Sequence, residues 1–131
     1  LTQIADAGNS VLIFPQGHHT DPEDERLGKP SASFKPGIAH LAANLELPVL
    51  PFGLAGTENV VPPYPPEGFK GKMLGGVPVA LKRGPVAIAF GALLYPVPEE
   101  SAAAFAARLQ SVCFALSRRA EGRLAAARRR R

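Results

Sequence analysis

Val11-Leu12-Ile13-Phe14-Pro15-Gln16-Gly17-His18-His19-Thr20 is the stretch on which the fold reading turns. Its first four residues form an apolar run too short for a helix and rich in β-branched and aromatic side chains. Pro15 and Gly17 then break the run into a polar loop. This pattern predicts a buried strand that delivers a turn to the surface, where chemistry commonly sits. The turn carries an amide, two adjacent imidazoles and a hydroxyl, and the acidic residues Asp21, Glu23, Asp24 and Glu25 follow closely.

Working outward, Leu1 to Ala7 reads as a helical turn closed by Gly8, and not as a signal peptide. From Gln16 to Ser33 a polar stretch with Pro22, Gly28 and Pro30 predicts an irregular loop. Pro36 suits the first turn of a helix whose apolar face is Ile38, Leu41, Ala42 and Leu45, with His40 pointing away from that face. Pro48 ends the helix, and Val49 to Leu54 makes a second short apolar run. Strand, helix and strand in this order, with short connections, predict a right-handed crossover with parallel strands. In such a sheet the turn after Phe14 and the turn at Gly56-Thr57 would meet on one edge, at the carboxyl ends of the strands.

Glu58 to Gly84 is punctuated by prolines and glycines, with Lys70, Lys72, Lys82 and Arg83 between them. It predicts a long connection with a short edge strand at Val77 to Leu81. Val86 to Phe90 predicts a third strand. Glu99 and Glu100 favour a helix start beyond Pro98, and Phe105, Leu109, Val112, Cys113, Leu116, Ala120 and Leu124 recur as the apolar stripe of that helix. The fold class expected is therefore α/β, a mostly parallel sheet flanked by helices.

The chain of 131 residues is 46% apolar, enough for one core. No apolar run reaches bilayer-spanning length. The single cysteine, Cys113, lies among apolar neighbours and predicts a packed thiol in a reducing, cytosolic setting. The net charge of +4 is uneven, with Arg118, Arg119, Arg123 and Arg128 to Arg131 gathered at the end. Such a basic segment complements its own helix dipole and can also attract an anionic surface. With no Trp and two Tyr, the chain offers little for stacking on bases, and no nucleic-acid partner is expected.

Several stretches taken together resemble the glycerol-phosphate and lysophospholipid acyltransferases. Phe14, Pro15 and Gly17 match that family's Phe-Pro-Glu-Gly-Thr-Arg-Ser block, with Gln16 at the Glu position, His18 at Thr, His19 at Arg and Thr20 at Ser. Phe34-Lys35-Pro36-Gly37 resembles its Phe-Lys-x-Gly helix start. Pro48 to Leu54 resembles its fourth block, and Val86 to Gly91 its late strand ending in Phe-Gly. The matches fall in the family's order and cover roughly the first 95 residues. The resemblance implies that residues 1–127 are the carboxyl-terminal part of an acyltransferase domain and 128–131 a basic tail. The sheet would then be incomplete, with an open edge or an uncovered apolar face.

The resemblance further implies transfer of a fatty acyl group from acyl-CoA or acyl-ACP to a glycerol-phosphate or lysophospholipid, at the cytoplasmic membrane face, with no other cofactor. Gln16, Gly17, His18, His19 and Thr20 would line the acceptor site, Phe34, Lys35 and Gly37 would flank it, and Pro51 would shape the neighbouring strand. The family's catalytic His-x-x-x-x-Asp precedes the third block, so here it is expected upstream of Leu1, and no catalytic residue is assigned within the chain. His19 to Asp24 fits that pattern by letter but overlaps the third block, and reads as coincidence. Gln16 and His19 in place of Glu and Arg remove one negative and one permanent positive charge, which points to acceptor binding that is weaker, pH-dependent or aimed at a different head group. Two other readings were weighed. A metal site from His18 and His19 with Asp21, Asp24 or Glu25 matches no known spacing, and a nucleotide site lacks its glycine loops. An inactive, lipid- or partner-binding relative of the family stands as the alternative.

Overall fold

The computed structural model describes residues 8, 10–16, 33–57, 60, 73–74, 77–78 and 84–130. Its elements in chain order are α1 (Gly37–Asn44), β1 (Phe52–Ala55), β2 (Met73–Leu74), β3 (Val77–Pro78), β4 (Ala87–Phe90) and α2 (Ala102–Arg129). They fall into two compact units. One comprises Leu1–Pro51 with Ala92–Val112, the other Phe52–Gly91 with Cys113–Arg131.

The first unit is built around Ala39, Ala42, Phe105 and Leu109, with Phe34, Ile38, Val49, Leu94 and Ala102 packed against them. An eight-residue helix such as α1 does not persist alone, and burial of Ala39 and Ala42 is what holds it. Its ends are read from the backbone. The Pro36 carbonyl accepts from the amides of Ala39 and His40, both at 3.0 Å. At the far end Leu47 donates to Ala42 (3.1 Å) and Glu46 to Ala43 (3.4 Å), a Schellman closure. Glu46 takes the left-handed position with φ 50°, where glycine is the usual occupant, and Pro48 prevents continuation.

α2 starts just as locally. The Ser101 hydroxyl accepts from the Ala104 amide at 3.1 Å, so Ser101 is the N-cap. Glu99 and Glu100, expected to open the helix, instead make the turn before it. Pro98 and Glu99 occupy its centre, Glu99 at φ 66°, and Glu100 donates back to Val97 at 3.0 Å. The predicted stripe is otherwise realised. Phe105, Leu109, Leu116, Ala120 and Leu124 are buried, and Val112 and Cys113 are half-buried.

The sheet reading is corrected. β1 and β4 pair antiparallel, Phe52 with Phe90 through Ala55 with Ala87, and β2 and β3 form a separate antiparallel pair. In the first unit Val49 and Leu94 make an isolated antiparallel bridge, each amide donating to the other's carbonyl at 2.8 and 2.9 Å. Among the described residues there is no parallel strand pair and no sheet of more than two strands. Val11 to Phe14 forms no ladder, and Leu12 and Phe14 stand 68% and 63% exposed. A strand is defined by its partner, and local apolar character supplies none. The Leu1 to Ala7 helix lies outside the described residues, as does most of the 58–84 connection.

In the second unit the β1–β4 ribbon has two unlike faces. Gly53, Ala55 and Ala89 are buried, whereas Ile88 and Phe90 on the opposite face are exposed and the Phe52 and Phe90 rings tilt together at 6.2 Å. Gly53 lies against the α2 backbone at Leu116 and Ser117, and a Cβ there would run into those backbone atoms. No side chain can yield to relieve that clash, so the cost is that of overpacking. Gly53→Ala is expected to lower stability by about 3 kcal/mol in urea denaturation, whereas Gly122→Ala, where an added Cβ meets nothing, leaves it unchanged or raises it.

Candidate functional site

The resemblance-derived site is traced through the residues that the structure describes. Pro15 and Gln16 form a half-buried turn, and the Pro15 carbonyl accepts the Lys35 amide at 3.0 Å. Residues twenty positions apart are thereby joined, and the third-block turn is tied to the start of α1. One residue earlier, the Phe34 amide donates to Gln110 Oε1 of α2 at 2.9 Å, while the Phe34 side chain packs on the Ala39–Phe105 core. Phe34 and Lys35 are thus held from two sides through consecutive amides.

The Lys35 and Gly37 side-chain positions are exposed, and Pro51 is buried. An added Cβ at Gly37 would meet nothing, so space does not require glycine there. Gly17, His18, His19 and Thr20 lie outside the described residues. The expected meeting of 16–20 with Gly56-Thr57 rests on those residues, and the parallel sheet that was its premise is not found among the described residues. His40 is exposed, as its position opposite the apolar face required.

Gln110 is a contributor that no motif marks. It is half-buried next to the apolar stripe of α2, where an amide needs a partner, and nothing in the sequence pattern names that partner. Among the described residues no group of three His, Cys, Asp or Glu could hold a metal ion, and the His18-His19 candidate lies outside them. Among the same residues no helix is long and apolar enough to cross a membrane.

Among the described residues, three titratable groups depart from their ordinary behaviour. Hydrogen bonds from Arg108 hold the Glu100 carboxyl below the usual carboxylate range, and the same contact raises Arg108. The guanidinium meets Glu100 at 2.7 and 2.9 Å, donates to the Tyr95 carbonyl at 2.8 Å and lies over the Phe105 ring at 4.8 Å. This cluster braces the turn before α2, where Glu100 Oε2 also accepts the Val97 amide at 3.2 Å. Burial pushes the Cys113 thiol up, partly offset by a hydrogen bond with the Phe52 backbone, so the thiol is poorly suited to nucleophilic work near neutrality.

Comparison of the chain with protein-family models, curated proteins and solved structures yields no match. The functional reading therefore stands on the residues themselves.

Gln110→Leu removes the side-chain acceptor that holds the Phe34 amide to α2. Amide exchange at Phe34 should accelerate about tenfold, equivalent to roughly 1.4 kcal/mol of local protection, while exchange in the middle of α2 changes little. Because the Glu100 carboxyl is lowered in the folded chain, its stabilisation is present above the unfolded carboxylate range and is lost as pH falls through the folded value. Arg108→Gln should therefore lower Tm at neutral pH, with the gap to the parent chain closing on acidification and the NMR titration of Glu100 moving upward.

Proposed function

We propose that the chain carries the acceptor-binding portion of an acyltransferase of phospholipid biosynthesis. In that reaction a hydroxyl oxygen of a glycerol-phosphate or lysophospholipid attacks the carbonyl carbon of an acyl thioester. The new C–O bond forms, the C–S bond breaks, and the hydroxyl proton passes through a base to the leaving thiolate. No residue of the chain is assigned as that base. The thioester is a co-substrate, acyl-CoA or acyl-ACP, and the acceptor brings the reaction to the cytoplasmic membrane face.

One observation carries the reading, the hydrogen bond from the Lys35 amide to the Pro15 carbonyl. It joins the two segments, Phe-Pro-Gln-Gly and Phe-Lys-Pro-Gly, that the resemblance assigns to one acceptor site. The exposed Lys35 side chain extends from the same junction and offers an ammonium for a phosphate. Gln16 would contribute a neutral hydrogen-bonding amide and His19 an imidazole, so the permanent positive charge of the cradle comes from Lys35. A second reading, lipid binding without catalysis, draws support from those same two replacements, which remove the permanent arginine charge. A ligand-binding measurement tests what both readings share, and acyl transfer from a thioester separates them.

Glycerol 3-phosphate added to the chain should move the imidazole signals of His18 and His19. Its affinity should fall several-fold in Lys35→Gln, which removes the ammonium beside the turn. Imidazole signals that stay put at every pH, or move equally with glycerol, would remove the basis for a phosphate-bearing acceptor at this turn.

A further inference from the structure

The arginines of α2 fall into two groups. Arg128 and Arg129 occupy the last turn, where they complement the carbonyl end of the helix. Arg118, Arg119 and Arg123 lie more than a turn before the end, beyond the reach of that dipole. All are exposed, and none forms an ion pair with a described residue.

Their spacing gives them a common face. At 3.6 residues per turn, Arg118, Arg119, Arg123 and Arg129 fall within an arc of roughly 140°, directed away from the buried stripe of Leu116, Ala120 and Leu124. Between them the arc holds Ala115, Gly122 and Ala126, all exposed. Glu121, the acid of this half of the helix, falls outside the arc. The result is a strip of small residues flanked by guanidinium groups, extending roughly 16 Å along the helix. Long basic side chains can reach forward on either side of the strip while the small residues let the helix axis come close to a flat surface.

We infer that this face of α2 docks on an anionic phospholipid bilayer. Charge complementarity points to an extended negative partner, since guanidinium groups along one strip repel one another and none of these is ion-paired with a described residue. The face carries no aromatic, Asn or Gln side chain that would stack on or read a base, which disfavours a nucleic acid. The choice of lipid also rests on the acceptor reading above, in which the substrate is itself an amphiphile. With alanine and glycine between the arginines, the contact is electrostatic adsorption and not insertion, so added salt should weaken it.

The test is co-sedimentation of the chain with vesicles of mixed phosphatidylcholine and phosphatidylglycerol, and with phosphatidylcholine alone. The expected result is binding to the mixed vesicles only. The R118Q/R119Q/R123Q variant should bind them roughly a hundredfold more weakly, at about fivefold per arginine, and R118K/R119K/R123K should retain most of the binding. Circular dichroism establishes that α2 is intact in each variant. Equal binding to neutral vesicles, or a glutamine variant that binds like the parent, would overturn the inference. So would arginine-dependent binding to mixed-sequence duplex DNA stronger than to the anionic vesicles. The glycerol 3-phosphate response of His18 and His19 should be the same in the glutamine variant as in the parent. If that response is missing in both proteins while vesicle binding still depends on the arginines, the acceptor reading fails and the docking face stands.

Discussion

The apolar stripe of α2 is the surface that the short elements need. β1 and β4 have four residues each, and α1 has eight; none of these lengths sustains structure in water without a partner. Phe105 and Leu109 gather α1 and the Val49–Leu94 bridge into one core. Leu116, Ala120 and Leu124 are buried in the other unit, where Gly53 meets the backbone at Leu116 and Ser117. A helix whose apolar residues recur over more than five turns supplies both. Removing the Cβ at position 53 is what lets a strand approach a helix backbone so closely.

What could be read from the sequence follows from this. The stripe from Phe105 to Leu124 was legible because helical periodicity is a local property repeated many times. α1 and β4 were legible for the same reason, bounded by Pro36, Pro48 and Gly91. The strand pairing was not. Short apolar runs separated by a helix suggest a parallel crossover, but which run pairs with which depends on contacts between distant residues. Here Phe52–Ala55 pairs with Ala87–Phe90, which follows it at some distance, and Val11–Phe14 joins no ladder. The turn chemistry before α2 was half legible. Pro98 marked the boundary, but Glu99 at positive φ and Glu100 in the hands of Arg108 gave the two acids a different task from the one that a helix N-terminus would give them.

The candidate site divides in the same way. Lys35, Phe34 and Gln16 were picked out by motif, and the structure brings their backbone neighbourhood together through two amide hydrogen bonds. Gln110 had no motif to mark it. Its role is to satisfy a backbone donor from another part of the chain, a relation fixed by packing and invisible to spacing. Pro51, expected to shape the neighbouring strand, is buried immediately before β1.

The antiparallel pairing changes the kind of argument that a site on this chain requires. In a parallel sheet, the shared direction of the strands collects their carboxyl ends on one edge, so topology alone predicts where loops converge. An antiparallel ribbon sends consecutive ends to opposite edges, and convergence has to be achieved bond by bond. The Pro15–Lys35 and Phe34–Gln110 hydrogen bonds are contacts of that sort. Each is worth on the order of 1 kcal/mol, and each can be removed by one substitution. A turn fastened in this manner depends on its supporting amides as much as on the side chains it presents, so a change at Gln110 should be felt at Lys35.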